Sequence, residues 1–250
     1  MTESTVAPAP APPATKPASF WEDLIDIFFQ PADVFRRRQN ASFWPPLITV
    51  SVLLAAFTFA NANVLAPIID AEMSRQMAIA AKHNPQITPE MMERGRSIGE
   101  SVQRFVRYAT ILTVPVMVFA LALLSWLVGK AFGSKQTYHA AVVVVAYASF
   151  PRVIEAVVNA VQGLLLDPAT LTSMSRIQIA AARFFDADTT NPLLFALLQR
   201  LDLFTIWAWT LIAIGVYVTG KISRGRAFAF GVTMWLIGGL WAFRQAYLAM

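Results

Sequence analysis

Hydrophobic positions in this chain gather into long uncharged runs, and the polar positions fall between them. The longest apolar stretches cover residues 44–66, 108–128, 138–166, 203–220 and 227–243. A helix needs about 20 apolar residues to cross a hydrocarbon core of about 30 Å, so each is read as one transmembrane helix. The last two are joined only by residues 221–226 and form an antiparallel hairpin. Trp44, Tyr108, Trp126, Tyr138, Trp207, Tyr217, Trp241 and Tyr247 stand near the predicted ends, where interfacial aromatics anchor a span. The predicted fold class is all-α: a polytopic membrane protein, a bundle of five transmembrane helices with an N-terminal amphipathic juxtamembrane helix.

The predicted domain organisation has three parts. Residues 1–18 are rich in Pro and Ala without an apolar period and are expected to be a disordered tail, with no apolar core of the kind a signal peptide carries. Residues 19–39 form the juxtamembrane helix. Ser19 and Glu22 fit a capping box, and Phe20, Trp21, Leu24, Ile25 and Phe28 recur at helical spacing, placed opposite Glu22, Asp23 and Asp26. Such a stripe suits either the membrane surface or the flank of the bundle. Pro31 breaks the helix, and residues 40–250 hold the five spans.

Between the spans, segments 70–107 and 167–202 both read as helical, each with a proline break. Asn84 and Pro85 stop the first helix, Thr88 and Pro89 start the next, and Asn191 and Pro192 precede a leucine-rich face.

Composition agrees with lipid as the solvent: 56% of residues are hydrophobic, 14% are charged, and mean hydropathy is +0.53. The net charge of +5 reads as topology rather than nucleic-acid binding, because no basic run is interleaved with stacking aromatics. With the N-terminus inside, the cytoplasm receives Lys16, Arg36, Arg37, Arg38, Lys130, Lys135, Lys221, Arg224 and Arg226. The short basic turn KISRGR weighs most, since short loops dominate the positive-inside rule. The expected location is a membrane, spanned several times, with the N-terminus in the cytoplasm.

Cysteine is absent, and the two histidines, His83 and His139, are far apart in sequence. Thiol chemistry is excluded and a histidine metal site is not expected. No Gly-rich phosphate loop, Ser-His-Asp order or HExxH motif occurs, so no cofactor, metal or catalytic residue is expected.

Three segments carry a family likeness. LIDIFFQPADVFRRR followed by WPP resembles the entry to the first span of Yip1-family membrane proteins; FGSKQTYHAAVVVVAYASFPRVI resembles their third-span region; LDLFTIWAWTLIAIGVYVTGKISRGRA resembles their fourth-span signature. The motif positions matched are Pro31, Tyr147, Pro151, Asp202 and Trp207. The resemblance implies a five-span helical fold with a cytosolic N-terminus. It also suggests a noncatalytic scaffold or adaptor whose partners are the lipid bilayer and other membrane proteins or itself.

One polar group interrupts the apolar pattern. Arg152, Glu155, Asn159 and Gln162 are spaced by three, four and three and share one helix face. Counting from Tyr138, Arg152 lies about 21 Å and Glu155 about 25 Å along the axis. A charge at the bilayer centre costs roughly 2.5–3.5 kcal/mol, so the face is expected to meet other helices or water. It reads as a structural ion pair, as the wall of a polar cavity for an ion or solute, or as groups snorkelling to the outer interface. The cavity reading makes the chain a small permease or channel subunit. Asn61 and Asn63 are expected to cap a helix or bond across it, Gly129 and Gly133 to mark a turn, and Gly238 and Gly239 to permit close helix approach.

Overall fold

The computed structural model describes residues 18–84, 86–167 and 173–248. The expected disordered tail falls almost wholly outside them. The described residues form ten α-helices, in order: α1 (Phe20–Phe29), α2 (Pro31–Arg38), α3 (Trp44–Ala60), α4 (Ala62–His83), α5 (Pro89–Ala131), α6 (Tyr138–Ala148), α7 (Phe150–Leu165), α8 (Pro192–Arg200), α9 (Leu203–Gly220) and α10 (Arg224–Leu248). Among the described residues there is no β-strand, only an isolated bridge between Ala180 and Asp202.

Among the described residues, four helical segments are long and apolar enough to cross a membrane: α5, α6 continued by α7, α9 and α10. A fifth is made by α3 with the start of α4, a pair bent by 72°. The stretch read as one span over 44–66 is therefore broken at Asn61. Its backbone ends α3, its carbonyl accepts from Val64 and Leu65 to start α4, and its side-chain Nδ2 donates to the Ala156 carbonyl of α7 at 3.1 Å. That cross-bond stitches the bend to its neighbour. The third span breaks too, at Ser149, because Pro151 has no N–H for the Tyr147 carbonyl one turn back.

At the centre lies α6, whose residues from Ala140 to Ala148 are all buried. A helix apolar on every side has no outward face, and here α3, α5 and α9 surround it. Small residues set the spacing. Gly215 of α9 lies against Val144, and a Cβ added there would overlap the valine side chain. Gly215→Val is expected to destabilise by about 1–3 kcal/mol through overpacking, measured by thermal unfolding in detergent. Gly238 admits Trp209 of α9 and Arg200 of α8, and Gly239 admits Arg200 and Phe243 of its own helix.

Loop contacts gather three connections at one end of the bundle. His139 Nε2 meets the Ala41 carbonyl at 2.8 Å, the Lys135 amide donates to the Gly220 carbonyl at 2.9 Å, and Gln136 Nε2 donates to Thr219 Oγ1 at 2.7 Å. Gly133, at φ 79°, makes the turn after α5, and Lys221 takes the left-handed conformation after α9. At the other end, α5 is capped by Thr88 with Pro89 in its first turn and runs for 43 residues, about 64 Å, so its polar first half extends beyond the apolar run.

The second intervening segment departs from its helical reading. Between Ser173 and Asn191 the described chain makes only two short 3₁₀ turns, Met174–Arg176 and Ala181–Phe184, before α8. Ser173 and Ser175 bond side chain to side chain, and the Asp186 carboxylate accepts from the Asp188 amide, local bonds that compete with a helix.

Candidate functional site: two polar centres in an apolar bundle

The first centre is built at the N-terminus. Ser19 caps α1 reciprocally with Glu22, the Ser19 Oγ accepting from the Glu22 amide at 3.2 Å and the Ser19 amide donating to Glu22 Oε2 at 2.6 Å. Pro31 cannot continue α1 but suits the first position of α2, so the chain turns at Gln30 and Pro31 into a helical hairpin. That hairpin brings the basic end of α2 back to the first turn of α1.

Asp23 is the hub of this hairpin and is 0% exposed. Its carboxylate accepts from Arg37 Nε at 2.7 Å, from Arg38 Nε at 2.5 Å and from the Tyr147 hydroxyl of the central helix at 3.2 Å. Arg37 reaches on to Asp26 at 2.5 Å, and Arg38 donates to the Ala18 carbonyl at 2.5 Å. Burial opposes the Arg37 charge, but hydrogen bonds to Asp26 and Asp23 outweigh it and hold its pKa above the ordinary arginine value. Each carboxylate oxygen of Asp23 has a charged partner. The arrangement is a clamp rather than a reaction centre.

This clamp corrects the expected face of α1. Asp23 points into the bundle beside Ile27, with Phe20, Leu24 and Phe28 packed on the core, and Phe28 meets Trp207 of α9 edge-on with ring centroids 5.3 Å apart. The side turned outward carries Trp21 at 70%, Ile25 at 62% and Phe29 at 79% exposure. Asp23 is acidic in a first helical turn, and that local pattern made it look solvated. A signal was present nonetheless. A hairpin folded about residues 30 and 31 sets position 23 opposite 38, so an acid and an arginine pair were legible from the turn.

The second centre is the polar face of α7. Arg152 Nη1 binds Glu155 Oε2 at 2.6 Å, and its Nη2 donates to Thr205 Oγ1 of α9 at 3.2 Å. Asp202, the N-cap of α9, accepts from the Thr205 amide at 2.7 Å and stands 4.0 Å from Arg152. Nearby, Arg200 donates to the Trp235 carbonyl at 2.7 Å and packs its guanidinium over that indole. Burial lowers the Arg200 pKa, and the charge of Arg152 lowers it further against the pull of Asp202. Gln162 bonds instead to the Ile177 carbonyl at 2.7 Å.

Beside this pair opens a cleft of about 410 Å³ between α3, α4, α5 and α7. Arg152, Glu155 and Asn159 line it with Asn61, Gln103 and Arg107, and its remaining lining is chiefly apolar. The sequence pattern joined the residues of α7. It missed Arg107, Gln103 and Thr205, and it did not join to that face Asn61, expected as a cap or cross-helix bond, or Asp202, a motif position.

Residues 25–243 match the Yip1 domain family model. The chain belongs to the Yip1 domain family. It is thus a multi-pass integral membrane protein whose apolar helices form the bundle described. No curated protein and no solved structure matches the chain.

Within this Yip1 domain the motif positions occupy joints of the bundle. Pro31 starts α2, Tyr147 binds the clamp, Pro151 stands where α6 gives way to α7, Asp202 caps α9, and Trp207 packs on α1. Among the described residues, no group of three or more His, Cys, Asp or Glu side chains is placed to hold a metal ion.

Proposed function

We infer that this Yip1 protein is a noncatalytic membrane scaffold or adaptor that organises the bilayer or partner membrane proteins, seated in a bacterial inner membrane with its N-terminus in the cytoplasm. The observation that carries the reading is the Asp23 clamp. It fixes α1 to the bundle and turns Trp21, Ile25 and Phe29 outward as one ridge, spaced four residues apart on the helix. A large apolar ridge held rigid loses little entropy on contact, which favours a lipid or protein surface as its occupant. The basic turn of residues 221–226 and the cluster of Arg36, Arg37 and Arg38 support the orientation.

The test compares wild type with Trp21→Ser, Ile25→Ser and Phe29→Ser combined. Both are isolated from native membranes, and whatever copurifies is identified. A companion lost with the ridge supports the adaptor. A permease reading is favoured by the cleft beside Arg152, and it competes directly. Solute flux through reconstituted wild type that vanishes in a folded Arg152→Leu, Glu155→Leu double variant would overturn the adaptor.

A further inference from the structure

The cleft beside α7 has two unsatisfied features that the ion pair does not account for. Arg107 lines it without an ion-pair or hydrogen-bond partner among the described residues, whereas Arg152 is held by Glu155. Asn159 also lines it, is only 9% exposed, and its Oδ1 has no hydrogen-bond partner. A buried acceptor without a donor costs about 1–3 kcal/mol, so a ligand that supplies a donor gains there. Of the charged residues that line the cleft, Arg107 and Arg152 face Glu155 alone, which leaves one positive charge to neutralise. The missing complement is one anion and one neutral donor.

Depth and lining name the class of molecule that carries both. Arg107 is the last charge of α5 before an uncharged run that reaches Lys130. Phe59 and Tyr108 pack edge to face beside it, with centroids 5.5 Å apart, as an aromatic belt does at the headgroup level. From there Leu54, Phe57, Leu65 and Val106 give the cleft apolar walls. The 72° bend at Asn61 turns α4 away from the axis of α3 and forms part of the cleft's border. A free solute finds little to hold on such walls. An acyl chain does.

We propose that this cleft binds an anionic glycerophospholipid with a hydroxyl-bearing headgroup, its phosphodiester on Arg107, a headgroup hydroxyl donating to Asn159 and an acyl chain along Leu54, Phe57 and Val106. The same phosphodiester and hydroxyl also occur in a water-soluble glycerophosphodiester, so the walls, not the polar groups, select the lipid. This site goes beyond the adaptor reading and does not depend on the α1 ridge.

The test uses the purified full chain, delipidated in detergent, with lipid retention read by native mass spectrometry and stabilisation read as a shift in Tm. Four probes share the arms: phosphatidylglycerol, phosphatidylmethanol of the same charge without a hydroxyl, zwitterionic phosphatidylcholine, and soluble glycerophosphoglycerol. The expected order is phosphatidylglycerol above phosphatidylmethanol above phosphatidylcholine, with the soluble compound ineffective at the same concentration. Arg107→Gln, on a half-buried surface position, should weaken phosphatidylglycerol binding about tenfold, the loss of one charge-assisted hydrogen bond. Asn159→Leu should bring phosphatidylglycerol down to the level of phosphatidylmethanol. Unchanged phosphatidylglycerol binding by Arg107→Gln overturns the site. Equal competition by glycerophosphoglycerol overturns the lipid as its occupant.

Discussion

Asp23→Ala is expected to destabilise the protein by about 3–5 kcal/mol, the cost of breaking a buried ion pair from one side. Two arginines lose their common carboxylate, and Tyr147 loses its acceptor in the core. The effect should be read as a lowered unfolding midpoint in detergent together with faster proteolysis within residues 18–40. Two gentler variants apportion it. Tyr147→Phe removes one hydrogen bond and should cost about 0.5–1.5 kcal/mol, whereas Asp23→Asn keeps an acceptor but no charge and should fall between the two. A full-strength protein carrying Asp23→Ala would show that α1 and α2 are held by apolar packing of Ile27, Val34 and Phe35 alone.

The second large effect is expected at Arg152, and it should be asymmetric. Arg152→Ala leaves Glu155, whose side chain is 15% exposed, and Asp202, at 5%, without their cation. Glu155→Ala leaves Arg152 with Thr205 and Asp202 still beside it. Because the Arg152 side chain is itself 38% exposed, its loss should cost about 1.5–3 kcal/mol, the range for charged hydrogen bonds, rather than that of a fully buried pair. Glu155→Ala should cost less. The double replacement by leucine should be milder than Arg152→Ala, since the unpaired Glu155 is removed with its partner. Unfolding of the three variants in the same detergent checks the order, and equal costs for the two single variants would show that Asp202 and Thr205 contribute nothing to the arginine.

Apolar runs declared the helices and the membrane because a span is a local property: about 20 residues without charge suffice, whatever their neighbours. The caps at Ser19 and Thr88 and the break at Pro31 were legible for the same reason, each being a hydrogen bond made or lost within a few residues. Where signals were distant they were silent. Asn61 was expected to cap a helix or bond across it, but nothing in the pattern said that its bond would go to Ala156, far along the chain, or that it would stitch a 72° bend to α7. The helical reading of residues 173–191 failed where helix-compatible composition competed with local side-chain bonds, the Asp186 carboxylate on the Asp188 amide and Ser173 on Ser175.

The candidate sites divide in the same way. Spacing of three and four placed Arg152, Glu155 and Asn159 on one face, since a helix repeats every 3.6 residues. It could not state which helix that face would meet. Asp23 has the opposite history: its position in a first turn beside Glu22 is what an exposed capping acid has, and only the fold of α2 against α1 and of both against Tyr147 buries it. The sequence by itself determined an all-helical membrane protein, its long apolar helices and its polar interruption, because those follow from hydrophobic length and helical period. Tertiary structure alone decided which charges are buried, where the cleft opens and which side chains from four helices line it, because burial and pairing are properties of neighbours in space, and a linear pattern carries no distance between them.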